Sequence, residues 1–132
     1  MRKVLMVLVV GFSIACGDGV TGSSTTTGAY SLRTINNTSL PYTIVGSSNV
    51  KTEILDDVIT LYQGGTYAES GHSRTTTNGQ VANGSNSEAG SYSTFGTSLT
   101  LRSGDGARTR ISTIDGNTMT IVESGMLSVF AK

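Results

Sequence analysis

The chain has 132 residues, balances 9 Lys+Arg against 9 Asp+Glu, and devotes only 14% of its positions to charged residues. Gly (17), Thr (20), Ser (18) and Asn (7) fill 62 positions, with one Pro, one Cys and no Trp. These figures exclude a large helical protein, a basic nucleic-acid binder and an acidic disordered tail, and leave a low-complexity coil or a small all-β domain dense in turns.

In chain order, Arg2 and Lys3 precede an apolar run from Val4 to Ile14 that is broken only by Gly11 and Ser13. The run is shorter than the roughly 20 residues a helix needs to cross a hydrocarbon core. A positive start, an apolar run and the small Ala15 before Cys16 read as a secretory signal over residues 1–15. Phe12-Ser13-Ile14-Ala15-Cys16 resembles a bacterial lipobox. The resemblance implies cleavage before Cys16, a thioether-linked diacylglycerol on Cys16 and usually a third, amide-linked chain. It makes the membrane a partner. With Gly17 rather than Asp next to Cys16, it points to the outer membrane of the cell envelope. Two or three acyl chains anchor firmly where one is marginal. Loss of Arg2 and Lys3 leaves 7 cations against 9 anions, a net charge of −2, so steering of a polyanion such as nucleic acid is not expected.

Residues 16–28 have the Gly/Ser/Thr composition of a flexible tether. Gly17, Gly19 and Gly22 match a dinucleotide fingerprint, but that motif requires a strand before it and a helix after it, and here a signal precedes and Ser/Thr coil follows.

From residue 29 onward, short alternating runs are separated by Gly/Asn/Asp clusters every 8–12 residues. This spacing predicts strands over 29–35, 50–55, 58–62, 66–74, 90–95, 99–102, 108–114, 118–122 and 127–130. Pro41 marks an extended connection or sheet edge. Asp56 and Asp57 read as a turn between two strands, and residues 75–89, rich in Asn, Gly and Ser, as a mobile loop.

Burial sets the expected register of the later strands. A three-residue loop at Asp115-Gly116-Asn117 pairs Ile111 with Ile121 and places Ile111, Thr113, Met119 and Ile121 on the core face. A five-residue loop over 103–107 turns Leu99 and Leu101 inward and sends Arg102, Arg108 and Arg110 to solvent. The alternative register points arginines into the interior, where they could pair with a ligand carboxylate.

The second half resembles lipocalin-like β-meander lipoproteins, through Ile59-Thr60-Leu61-Tyr62 leading to Gly65-Thr66-Tyr67, and Gly90-Ser91-Tyr92 leading to Leu99-Thr100-Leu101. The resemblance implies an all-β, antiparallel up-and-down meander barrel of about eight strands over residues 29–132, following the cleaved signal and tether. It implies no particular ligand.

Candidate chemistry is sparse. His72 is the only histidine; Ser70 shares its face and Glu69 does not, which reads as a surface histidine rather than a catalytic one. One histidine and one acylated cysteine cannot build a zinc site, and Asp56-Asp57, Asp105 and Asp115-Gly116-Asn117 read as turns rather than calcium loops. No catalytic residue, metal or cofactor is assigned. Arg102, Arg108 and Arg110, with Arg74 nearby, would form an outer basic patch without interleaved aromatics. Tyr30, Tyr67 and Tyr92 are the candidate ligand-binding residues, with a core role as the competing reading. The resulting expectation is a monomeric, lipid-anchored, non-enzymatic envelope barrel; the alternative is a lipocalin-like binding module for a small apolar or amphiphilic ligand.

Overall fold

The computed structural model describes residues 26–132. The expected signal and Cys16 lie outside the described residues, as does most of the expected tether. Ten strands follow in order: β1 (Gly28–Ile35), β2 (Thr38–Ser39), β3 (Tyr42–Gly46), β4 (Val50–Leu61), β5 (Thr66–Thr77), β6 (Gln80–Phe95), β7 (Ser98–Ser103), β8 (Thr109–Asp115), β9 (Thr118–Glu123) and β10 (Met126–Ala131). No helix occurs among the described residues.

From β4 to β10 every strand pairs antiparallel with its successor. β1 closes the ring by pairing with both β10 (Leu32 opposite Phe130) and β4 (Tyr30 opposite Ile59). The result is a closed, eight-stranded antiparallel barrel with β2 and β3 as extra strands on its margin. A barrel of this size has an interior just wide enough for side chains to fill.

Two-residue hairpins organise much of the meander. Asn36-Asn37, Asn78-Gly79 and Ser124-Gly125 hold positive φ at both positions, the backbone of type I′ turns that suits the right-handed twist of paired strands. Gly96-Thr97 and Gly116-Asn117 carry the positive φ at glycine alone, as type II′ turns do. Asp115 therefore faces Thr118, and the loop between β8 and β9 has two residues, not three.

That turn corrects the expected register. Ser112 pairs with Ile121 and also with Leu99, and Arg110 pairs with Leu101. The last β7–β8 pair is Arg102 with Thr109 rather than with Arg108, so β8 slides by one residue between two neighbours that keep their expected faces. Ile111 is 67% exposed and Thr113 points outward, whereas Arg110 is 5% exposed and Ser112 is buried. Asp105 braces the β7–β8 loop: its carboxylate accepts hydrogen bonds from Ser103 Oγ at 2.5 Å and Ala107 N at 2.9 Å.

Two further expectations are overturned. Asp56-Asp57 is not a turn but lies within the continuous β4, beside a bulge between Ile54 and Asp56. Residues 75–89 are not a loop but the distal part of a long hairpin, β5 against β6 from Thr66–Ser91 to Thr77–Gln80. β7 takes up pairing with β6 at Gly90, and Gly104 N donates to Ala89 O at 2.9 Å, so residues 80–87 leave the barrel wall as an arm paired on one side. Both faces of this arm meet solvent over most of its length, and its sequence accordingly lacks apolar alternation.

The core fills the half of the barrel near the N-terminal start of β1. Tyr30, Ile59, Leu61, Tyr67, Leu99, Leu101 and Met119 are almost wholly buried there, with Leu32, Ile35, Ile121 and Phe130 next to them. Fully burying each such side chain contributes about 1.5–3 kcal/mol.

Candidate functional site

At the other end, inward positions change from apolar to charged. On β5, Glu69 is next inward from Tyr67, and on β6, Glu88 is next inward from Gly90. They face one another as a cross-strand pair. Like charges directly opposite are destabilising unless a cation intervenes. Arg110 from β8 is that cation. Its Nη1 donates to Glu69 Oε1 at 2.9 Å, and its Nη2 donates to Glu69 Oε2 and, at 3.0 Å, to Glu88 Oε1. Tyr67 Oη donates to the same Glu88 oxygen at 2.5 Å.

The network continues to the rim. Arg108 Nη1 lies 3.5 Å from Glu88 Oε2, while Arg108 Nε donates to Glu123 Oε1 at 2.8 Å and Nη2 donates to Glu123 Oε2. A continuous line, Glu69–Arg110–Glu88–Arg108–Glu123, thus ties β5, β6, β8 and β9 together across the barrel mouth.

Electrostatics follow from burial and pairing. Burial opposes the charge on Arg110, but the hydrogen bonds and field of Glu69, with help from Tyr67 and Glu88, outweigh it and raise its pKa further. The Arg108 fork holds Glu123 below the ordinary carboxylate range. Burial, then the hydrogen bond to Glu88, pushes Tyr67 up to about 12. Asp57, on β4 opposite Gly71, behaves in the opposite sense to Glu123. Burial first, then the neighbouring Glu69, pushes its carboxyl up to about 7. A Cβ on Gly71 would lie 2.9 Å from Asn86 Oδ1 and 3.2 Å from Asp57 Oδ1, so glycine there makes room for that carboxyl. Asp57 Oδ1 and Arg110 Nε are both buried without a hydrogen-bond partner.

Beside this network lies an open pocket of about 140 Å³. Leu32, Ile35, Ile54, Ile121, Met126 and Phe130 form its apolar wall; Asp57, Glu69, Arg108, Arg110, Glu123 and Ser128 form its polar wall. Pockets for drug-sized ligands run from about 300 to 1,000 Å³, so this one admits only a small group.

The residues singled out from the sequence are dispersed. Tyr30 is a core residue; its hydroxyl donates to Thr26 O at 2.8 Å, and Lys132 Nζ sits 4.8 Å from its ring centroid. Tyr92 donates to Tyr62 O at 2.8 Å. Tyr67 joins the charged network. None of the three tyrosines lines the mouth pocket. His72 and Asp56 form an exposed pair on the outer wall, Nδ1 to Oδ1 at 2.7 Å, while Glu69 faces inward.

The expected basic patch does not assemble. Arg74 pairs with Glu53 at 2.8 Å near the arm, Arg102 is exposed on the outer wall, Arg108 sits at the rim and Arg110 lies inside. Nor are the two mouth arginines open to a ligand carboxylate, since both forks are already filled by Glu69, Glu88 and Glu123. The charged network itself was missed in the sequence. Its signal was the two-residue turn Gly116-Asn117, which turns Arg110 inward.

No family model, curated protein or solved structure matches this chain.

Proposed function

We propose that this chain is a non-enzymatic, lipid-anchored barrel of the cell envelope, held at the outer membrane through Cys16 and serving there as a monomeric, closed platform rather than as a carrier. The observation that carries this reading is the filled interior. Seven large side chains occupy one half at near-zero exposure, Glu69, Arg110 and Glu88 bond to one another in the other, and Arg108 and Glu123 carry that network to the rim, leaving beside it a pocket of only about 140 Å³. A carrier of lipocalin type needs an emptied chamber, and an enzyme needs ionisable groups left available to substrate. The experiment is fractionation of cells expressing the full chain and its Cys16→Ser variant. The parent should partition with membranes and the variant with the soluble fraction. A variant that stays membrane-bound overturns the anchor.

A second reading is supported by the mouth pocket, which joins an apolar wall to a charged one, as a small amphiphile requires. Three carboxyl groups (Asp57, Glu69, Glu123) line the pocket against two guanidinium groups that are already paired with carboxylates, which favours a cationic head over an anionic one. A short alkylammonium should perturb the NMR signals of Met126 and Phe130, and an alkyl carboxylate of the same length should not. Silence from both removes this reading.

A further inference from the structure

The two ends of the barrel differ in charge. Residues 26–28, 61–67, 92–99, 114–119 and 130–132 form the end where β1 begins, and their only charged side chains are Asp115 and Lys132. Every other charged side chain among the described residues lies toward the opposite end or on the arm that extends from it. The charge-poor end also carries aromatic rings in solvent. Phe95, at the β6–β7 turn, is 90% exposed, and Tyr62, at the β4–β5 turn, is 50% exposed. β6 runs three residues past Tyr92, which contacts the β4–β5 turn, before reaching Phe95. At about 3.3 Å per residue, that places the ring roughly 10 Å farther along the strand.

The chain leading to Cys16 departs from this same end. Thr26 lines a surface groove of about 180 Å³ together with Gly96 and Thr97, the turn that follows Phe95. Only residues 17–25 separate Thr26 from Cys16. Even fully extended, that length reaches no more than about 35 Å.

We infer that this end of the barrel is a lipid-facing surface, with Phe95 entering the interfacial region of the bilayer and Tyr62 beside it. The inference rests on the reading of Cys16 as a lipid anchor. One phenylalanine cannot recruit a protein from solution. Once acyl chains hold this end near the bilayer, the local lipid concentration is high and the ring has only to bias orientation. Aromatic side chains favour the interface, and turns made of Gly, Gln, Asn, Thr and Ser leave only Asp115 and Lys132 as charges to meet the headgroups. Docked this way, the charged mouth and the β5–β6 arm project away from the membrane.

The absence of tryptophan makes the test clean, because a single introduced indole reports alone. The full chain carrying F95W, and separately V81W on the arm, is reconstituted through its native anchor into vesicles of zwitterionic and anionic phospholipid containing brominated acyl chains. Val81 is 61% exposed and serves as the distal control. F95W emission should shift to the blue and be quenched about twofold or more beyond V81W. Equal quenching at both positions, in a chain that floats with the vesicles, overturns the docking inference and leaves the anchor standing. A chain that does not float overturns both. A blue shift at F95W that needs no lipid and grows with protein concentration assigns the surface to a second copy, and also overturns the inference.

Discussion

The two halves of the barrel interior are built from the same strands yet stand on different physics. β5 contributes Tyr67 to one half and Glu69 to the other; β8 contributes Ile114 and Arg110; β9 contributes Met119 and Glu123. Burial in the apolar half is non-directional and scales with area, so several packings of similar side chains would satisfy it. The charged half accepts one arrangement only. A slip of β8 by a single residue would bring Ile111 inward and leave Glu69 and Glu88 opposed with no cation between them. The half that contributes less to burial is the half that discriminates between registers.

Breaking the charged half at its centre should have the largest effect. Arg110→Ala leaves the buried Glu69 unpaired, facing a Glu88 that keeps only Tyr67 and Arg108, and urea unfolding should register a loss of about 3–5 kcal/mol. Removing the charges together (R110M with E69L and E88L) should recover most of that loss, because the penalty comes from the orphaned carboxylates. In the apolar half, Leu99→Ala should cost about 3 kcal/mol through lost burial and a cavity, with no change in pH dependence.

Asp57 sharpens the contrast through pH. Its folded pKa of about 7 lies above the ordinary 3.8, so the folded state holds an extra proton between those values. Its contribution to stability is therefore present below about pH 4 and lost as pH rises toward 7. Asp57→Asn should match the parent near pH 4 and exceed it by about 2 kcal/mol at pH 8, after allowance for partial solvent screening. Denaturation of both proteins across that range tests the sign. Tyr67→Phe, which deletes only the hydroxyl on Glu88, should cost about 1 kcal/mol by thermal melting. Ile111→Thr should lie within about 0.5 kcal/mol of the parent, because Ile111 faces solvent; a loss of 2 kcal/mol or more in the same melting experiment would restore the expected register.

Much of the fold was legible in turn chemistry and alternation. Alternating runs located the strands of the barrel wall, and Leu99, Leu101, Met119 and Ile121 face inward as the pattern indicated. The arm was misread for a physical reason. Its residues escape the barrel and need no apolar face, so the only cue was Asn78-Gly79, a two-residue hairpin signal flanked by Thr and Gln. Asp56-Asp57 misled similarly: paired aspartates favour turns locally, yet the bulge in β4 and Gly71 across from Asp57 accommodate them within a strand. The charged network was hidden because arginine in a core is unfavourable when β8 is considered with its neighbours alone. It becomes favourable only when Glu69 and Glu88, 41 and 22 residues away, converge on it.

By itself, the sequence determined the all-β class, the sites of most turns and the apolar inventory of the core, because these depend on local backbone preference and on side-chain alternation with a period of two. Which way β8 faces was a tertiary decision. Considered with β7 and β9 alone, apolar burial favours the face that carries Ile111 and Thr113, which is not the face the protein buries. The β5–β6 hairpin set two carboxylates opposite one another, the fold brought β8 against them, and the electrostatic cost of leaving them unpaired chose the face that carries Arg110.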